Sequence, residues 1–299
     1  MNSTILIGTK YGKAADVLSF HTQALSPLAP GFARIQVKAA GINPIDARRM
    51  TGEFRHAALP QTFGTEFAGI IVETNGQSAF EVNDEVLGSG GQFTHASVID
   101  VPLANLVRKP QNISWQVAGS IAGVAQTAMT ILDEIGPVKS LLIHGASGGV
   151  GTITIQMAKQ KGIEVVATAS AKNQDYLKGL GATPVVYGDG LIERIQAVHP
   201  TKLDASVDMI GNEEATQASL ATVKPGGLMA TIAGRPISSS KIQAIWVKRN
   251  VQNLKHVVDG IAAGTFHWEI DTVFPFSEAV AAYTKILEGH NRGKLVLGF

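Results

Sequence analysis

The stretch SLLIHGASGGVGTITIQMAKQKGIEVVATAS, from Ser140 to Ser170, limits what this chain can fold into more than any other. Leu141, Leu142 and Ile143 form a short apolar run, and Gly145, Gly148 and Gly151 follow it at intervals of three. From Val150 to Lys161, the apolar residues Val150, Ile153, Ile155, Met157 and Ala158 predict a helix with one apolar face, ended by Gly162. Ile163 to Ala169 predicts the next buried strand. A glycine-rich turn between strand and helix lets backbone N–H groups approach a pyrophosphate, and the helix N-terminus adds a favourable dipole. Gly145, Ala146, Ser147, Gly148, Gly149 and Val150 are therefore the candidate phosphate contacts. The alternative is a tight turn that only packs helix on sheet. Spaced glycines alone are weak evidence, and the complete strand–turn–helix–strand unit is what gives them weight.

Downstream the chain keeps alternating. Helices are expected over Asn173 to Gly181, Leu191 to His199 and Glu213 to Val223, with strands over Thr183 to Tyr187, Ala205 to Ile210 and Gly227 to Ala233. Strands alternating with helices imply a parallel sheet covered on both faces. Ser238 to Val247 is a candidate further strand, and Asn250 to Gly264 an amphipathic helix carrying Leu254, Val257, Val258, Ile261 and Ala262. In the tail, Thr272 to Phe276 and Lys294 to Gly298 read as strands around a helix from Ser277 to Gly289 with Ser277 as its cap. Pattern alone leaves open which domain this tail joins.

Upstream the texture differs. Phe32 to Ala39 alternates apolar and charged residues, the period of a half-buried strand. Gly69 to Thr74 and Ala96 to Val101 follow, with turns marked by Pro30-Gly31, Gly41, Pro44, Pro60, Gly64 and Gly88 to Gly91. Residues 1–115 thus read as a mostly antiparallel β domain. A helical stretch then opens at Trp115 with Ser114 as candidate N-cap.

Composition removes several function classes. Lys and Arg number 25 against 24 Asp and Glu, which leaves no field to recruit nucleic acid or a membrane surface. Cysteine is absent, so disulfides, thiolate zinc sites and cysteine nucleophiles are excluded together. The start MNSTILIGTKYGK lacks the pattern of a signal peptide, and no apolar run approaches the roughly twenty residues of a membrane span. The expectation is a cytoplasmic protein with a small-molecule partner.

Several motifs occur in the order of one family. They are AAGINPIDARRMTG (39–52), FGTEFAGIIVE (63–73), VNDEVLG (82–88), IHGASGGVGTITIQMAK (143–159), LDASVDMIG (203–211), VKPGGLMATI (223–232) and GHNRGKLVLGF (289–299). With these the chain resembles the medium-chain dehydrogenase/reductase superfamily, in particular its zinc-free quinone oxidoreductase branch, over nearly its whole length. The resemblance implies an α/β protein: a GroES-like β-barrel catalytic domain (1–115, completed by 265–299) and a doubly wound Rossmann domain (116–264). It also implies a homodimer and an active site in the cleft between the domains.

The cofactor can be narrowed further. NAD-preferring sites place an acid at the end of the second strand to hold the ribose 2′-hydroxyl. Here that end reads Ala167-Thr168-Ala169-Ser170, and Glu164 stands at the strand's other end. Ser170 and Lys172 could receive a 2′-phosphate instead, which favours NADPH; the alternative for Lys172 is a solvated lysine at a helix start. Strand ends in such sheets border the ligand, which adds Ile210, Ile232 and Ala233. The resemblance adds Tyr187 after the third strand and Thr127 near the nicotinamide. Arg292 could reach the cofactor or be a surface arginine.

Asn43 stands where the zinc-dependent members carry their first zinc cysteine, and Gly64-Thr65-Glu66 where they carry Gly-His-Glu. The eight histidines (His21, His56, His95, His144, His199, His256, His267, His290) include no pair at metal-ligand spacing, so no zinc is expected. Without a metal, hydride transfer to an electron-poor quinone or α,β-unsaturated carbonyl makes the least demand on the protein. Asn43 and Asp46 in GINPID are the candidate catalytic residues, Asn43 as an amide donor to a substrate oxygen or the nicotinamide carboxamide and Asp46 to orient cofactor or water. Their structural alternatives are an Asn-Pro turn and a helix N-cap. Phe54 and Phe93 are candidates to line an apolar slot. Competing readings are an enoyl reductase in a biosynthetic route and an NADPH-binding sensor or structural protein.

Overall fold

The computed structural model describes residues 1–55, 57–90 and 93–299, so His56 and Gly91 lie outside the described residues. The chain divides into two units, Met1–Gly123 with Asn250–Thr265 and Glu269–Phe299, and Val124–Arg249 with Phe266–Trp268.

The first unit is built on the strand Phe32–Ile42, which pairs antiparallel with Glu66–Asn75, Val98–Pro102 and Lys294–Gly298. Its alternation is kept: Ala33, Ile35, Val37 and Ala39 are buried in the core. Arg34, on the opposite face, is also buried, because its guanidinium is held at 2.8 Å by both Asp100 and Glu73. The C-terminal strand Lys294–Gly298 joins this same sheet, with Ile270–Pro275 parallel beside it. A smaller sheet pairs Asn2–Gly8 with Leu18–Ala24 on one side and Gln61–Thr62 on the other. The helix Val251–Ala262, expected in the nucleotide-binding part, groups with this unit. Its buried face of Leu254, Val257 and Val258 packs beside the strand Leu106–Arg108, and Asn112 Nδ2 donates to Ala262 O at 2.7 Å. The tail helix runs Ala279–Glu288 after a tight 3-10 turn, and Glu278 rather than Ser277 holds the N-cap position.

The second unit is a six-stranded, wholly parallel sheet in the order Thr183–Val186, Glu164–Ala169, Ser140–His144, Leu203–Asp208, Val223–Thr231, Ile242–Ala244. Numbered along the chain this is 3-2-1-4-5-6, the doubly wound order whose switch point lies between the first and fourth strands. The central strand is buried throughout, as its Leu141-Leu142-Ile143 run requires. The last strand is only Ile242–Ala244, shorter than its sequence pattern implied. The helix Gly149–Gln160 buries more than one face. Thr152 and Thr154 are also covered, and their hydroxyls donate to the carbonyls of Gly148 and Val150 one turn back, at 3.0 and 2.7 Å.

Candidate functional site

In the second unit, the glycine-rich turn sits at the C-terminal edge of the sheet, beside the switch point. Its glycines answer three different needs. Gly145 has φ +73°, and a Cβ there would lie 2.7 Å from Ile210 Cγ1. At Gly151 a Cβ would lie 2.6 Å from Ala146 backbone atoms, so glycine permits close packing of helix on turn. Gly148 is the reverse case: a Cβ would meet only Gly145 O, at 3.8 Å, so the space before it is open. Gly148 is also the N-cap of the helix Gly149–Gln160, and no side chain caps the first turn. First-turn N–H groups without a side-chain cap, beside open space at Gly148, are what an anion cradle requires. The residues fit a dinucleotide pyrophosphate. Ala146 shapes this cradle and does not line it: it is buried and its N–H donates to Thr168 O at 3.0 Å.

The second strand ends as expected without an acid, and Glu164 lies exposed at its start. Ser147 on the turn and Ser170 after the strand are both half-buried, and Lys172 is exposed. The two serines are linked through Asn173, whose Nδ2 lies 3.1 Å from Ser147 Oγ and 3.2 Å from Ser170 Oγ. Tyr187 is half-buried against the sheet's core cluster, its N–H donating to Ala169 O at 3.3 Å. At the neighbouring strand ends, Asp208 Oδ1 accepts the N–H groups of Ile210 (2.7 Å) and Gly211 (3.0 Å), and Thr231 Oγ1 accepts that of Ala233 (3.1 Å). Ile232 N–H donates to Asp208 O at 2.9 Å. Ile210, Ile232 and Ala233 thus belong to loops fixed by Asp208 and Thr231, two residues that sequence reading did not single out. Thr127 is half-buried on the helix Ala122–Ile135. His144, which ends the central strand, is 1 % exposed between Thr168 Oγ1 and Ser219 Oγ, each 3.2 Å from a ring nitrogen. Burial pushes its imidazole down to about 4, so it is neutral at physiological pH.

In the first unit, GINPID forms the start of the helix Pro44–Thr51, with Asn43 as N-cap and Pro44 in the first turn. Asp46 is not the cap. It lies three residues on, fully buried, with Oδ2 accepting Asn43 N–H and Oδ1 accepting Gly64 N–H, each at 3.0 Å. Both carboxylate oxygens are thus bound to backbone, which makes Asp46 a brace between the helix and the 63–66 segment and places it out of reach of a ligand. Asn43 is held just as closely. Its Nδ2 donates to Glu66 Oε1 (3.0 Å) and Thr65 Oγ1 (3.2 Å), and its Oδ1 accepts from Lys294 Nζ (2.7 Å). Both amide hydrogens have partners, so the expected donation from Asn43 to a substrate oxygen is not available in this arrangement.

Lys294 is the centre of this cluster. Its ammonium donates to Ile42 O at 3.1 Å and to Asn43 Oδ1 and Glu66 Oε1 at 2.7 Å each, and the ion pair is buried on both sides. Glu66 Oε2 accepts Gly123 N–H at 2.6 Å. A Cβ on Gly41 would run into this carboxylate and the Ser120 backbone, so glycine makes the room. The sequence showed Glu66 and Lys294 inside motifs, but nothing in it pairs residues 228 positions apart.

The other candidates fall outside this cluster. Phe93 packs on the barrel core with Ile7 and Phe80, and Phe54 is half-buried with its N–H on Arg48 O at 3.1 Å. Arg292 is exposed and bonded to Glu269, Nη2 to Oε1 at 2.8 Å. Among the described residues, no group of three or more His, Cys, Asp or Glu side chains is arranged to hold a metal.

Two family models match the chain, an alcohol dehydrogenase GroES-like domain over residues 29–135 and a zinc-binding dehydrogenase over 149–273. Among curated proteins, the chain is 29% identical over 310 residues to the 2-methylene-furan-3-one reductase of Solanum lycopersicum, covering 97% of this chain and 77% of that protein. Among solved structures, the quinone oxidoreductase from Coxiella burnetii superposes with a TM-score of 0.88 at 26% identity, with both chains fully covered. The Escherichia coli quinone oxidoreductase complexed with NADPH superposes with a TM-score of 0.89 at 23% identity, over 99% of this chain and 100% of that one.

Proposed function

Since the chain belongs to the medium-chain dehydrogenase/reductase superfamily, in its zinc-free quinone oxidoreductase branch, we propose that it is an NADPH-dependent oxidoreductase acting on a quinone or an α,β-unsaturated carbonyl. The observation that carries this reading is the open glycine cradle on a 3-2-1-4-5-6 sheet whose second strand ends without an acid and is followed by Ser170 and Lys172. An acid there would hold a ribose hydroxyl and repel a 2′-phosphate. A hydroxyl and an exposed ammonium do the opposite. Acceptors of this class are in keeping with the names of the tomato and Coxiella relatives.

The zinc implied by one family-model name does not fit this chain. Cysteine is absent, and Asn43 and Thr65 occupy the positions of the first two ligands in the zinc-dependent pattern. The remaining acid, Glu66, is already bound to an ammonium. That ammonium, 2.7 Å from the carboxylate, would repel a dication bound to it.

The nucleotide, when bound, supplies a hydride. The protein's own part is to hold and orient. First-turn N–H groups of the helix Gly149–Gln160 take the pyrophosphate, and Ser170 and Lys172 take the 2′-phosphate. Asp208 and Thr231 fix the loops at Ile210 and Ala233. In the first unit, Lys294, Glu66 and Asn43 form a buried polar cluster whose hydrogen bonds tie Ile42, Thr65 and Gly123 together. A quinone or enone spreads the negative charge it gains over its own conjugated system, which reduces the need for a strong electrophile in the protein. The reading includes a cytoplasmic homodimer. No helix among the described residues is long and apolar enough to cross a membrane.

The test is NADPH absorbance in the presence of quinones, enones and enals. Turnover with at least one class is expected; NADPH binding without oxidation across all three would leave the sensor reading in its place. Lys172→Ala is expected to raise the KM for NADPH roughly tenfold while leaving that for NADH near its starting value, as loss of one charge-assisted contact implies. An unchanged NADPH/NADH ratio would remove Lys172 from the cofactor site.

A further inference from the structure

We infer that Asn173 is the positioning residue of the dinucleotide site, setting the polarity of two serine hydroxyls so that both donate to phosphate. This rests on the reading of the glycine cradle as an NADPH site and adds to it a residue that neither the motif nor the family pattern points to.

Asn173 follows the second strand of the parallel sheet, closing the short 3-10 turn Ala171–Asn173 and standing at the N-cap of the helix Gln174–Leu180. Asparagine is favoured at that position because its side-chain oxygen accepts an N–H from the first helical turn. Here it makes no such bond. The side chain, 3 % exposed, turns instead toward the phosphate end of the sheet. Its Nδ2 lies 3.1 Å from Ser147 Oγ, on the glycine-rich turn, and 3.2 Å from Ser170 Oγ, after the second strand. Ser170 forgoes its own cap in the same way, standing at the N-cap of the 3-10 turn with no side-chain cap bond. The helix start therefore gives up two local caps, and one amide group gains two hydroxyls from separate segments of the site.

The consequence is chemical. An amide NH2 has two hydrogens and can only donate. Each serine oxygen that receives one of them must point its own hydrogen elsewhere, and neither hydroxyl hydrogen has an acceptor among the described residues. Two half-buried O–H donors are thereby held ready for anionic oxygens, one at the turn that faces the pyrophosphate and one at the position that faces the 2′-phosphate. Because a single side chain fixes both, the two phosphate contacts are set as one unit. An acceptor at position 173 would do the reverse, drawing both hydrogens inward and presenting oxygen lone pairs to the phosphates.

The experiment is a binding titration of NADPH and NADH by their fluorescence, without an acceptor, on wild type, Asn173→Ala, Asn173→Asp and Ser170→Ala, and with Asn173→Ala placed in a Ser147→Ala/Ser170→Ala background. If the wild type fails to bind NADPH, the cofactor reading itself is wrong. Given wild-type binding, Asn173→Ala is expected to weaken NADPH by about tenfold or more, and NADH by less, since only the Ser147 side serves both nucleotides. In the double-serine background the same substitution should change NADPH affinity by less than about twofold. Asn173→Asp keeps the shape of the side chain and should be at least as damaging as Asn173→Ala, which covers the case in which truncation unsettles the helix. Wild-type affinity in Asn173→Asp, or an Asn173→Ala effect that persists undiminished without the serines, overturns the proposal, because either would make Asn173 a packing residue only.

Discussion

Lys294 shows how far one residue can fix a site. A buried ammonium is tolerated only if its charge and all its donors are matched, and here Ile42 O, Asn43 Oδ1 and Glu66 Oε1 take the three hydrogens. Removing it leaves the Glu66 carboxylate, fully buried, with Asn43 Nδ2 and Gly123 N–H as its partners among the described residues. Lys294→Met should therefore destabilise the protein by about 3–5 kcal/mol, the usual cost of orphaning one member of a buried pair. Lys294→Met/Glu66→Gln should recover part of that loss, because the charge leaves with its partner. Urea unfolding of the three proteins measures both, and a single variant within 1 kcal/mol of wild type would contradict the buried-pair account. Asn43 was legible as a site residue from its motif. That its amide is already taken was not, because its hydrogens go to Thr65 and Glu66, its oxygen accepts from Lys294 251 positions away, and no local pattern carries these pairings.

Among the elements, the helix Pro44–Thr51 and the turn before Gly149–Gln160 make opposite uses of a helix start. The second leaves its first-turn donors open, as an anion cradle requires. The first is closed: Asp46 returns to Asn43 N–H and reaches across to Gly64 N–H. The sequence offered Asp46 as either a cap or a functional acid, and the two fit different experiments. Asp46→Asn keeps the size but replaces one accepting oxygen with an NH2, which would face a backbone donor. As a brace, it should cost about 1–3 kcal/mol of stability while the KM for the acceptor holds. A shift in acceptor KM at unchanged stability would instead return Asp46 to the reaction. The elements themselves were largely readable, because period-two and glycine-turn patterns are local. Where the reading slipped, tertiary contacts overrode propensity. Ser277 had the composition of a cap, but a 3-10 turn runs through it, and the strand expected over Ser238 to Val247 pairs only at Ile242–Ala244.

Across the whole molecule, the doubly wound order was anticipated from strand–helix alternation, whereas the sheet position of Lys294–Gly298 came from family resemblance and the grouping of Val251–Ala262 from neither. A five-residue strand and an amphipathic helix carry no address in their own periodicity; their destinations are set by which buried surface they complete. Among the described residues the same holds for the buried histidines His95 and His144, one in each unit, which the sequence leaves open as surface or packing residues. His95 is wholly buried between Tyr283 Oη (2.8 Å) and Gly41 O (3.1 Å), and burial lowers its imidazole as it does that of His144. The Gly41 carbonyl can only accept, so Nε2 carries the hydrogen and Nδ1 accepts from the tyrosine. Both rings are thus neutral when folded, and unfolding exposes them to a pKa near 6.5. Above that value neither state is protonated and the histidines give no pH dependence. Below it the unfolded chain gains a proton that the folded chain takes up only near pH 4 at His144, so stability falls as pH drops through this window. For His144 alone the loss between pH 7 and pH 5 comes to about 2 kcal/mol, and His95 adds to it in the same direction. His144→Gln, which retains a donor and an acceptor for Thr168 and Ser219, should lose about 2 kcal/mol less than wild type over that interval in urea unfolding. Parallel pH profiles for the two proteins would mean that His144 takes up its proton as readily in the folded state as in the unfolded one, against its burial between two neutral hydroxyls.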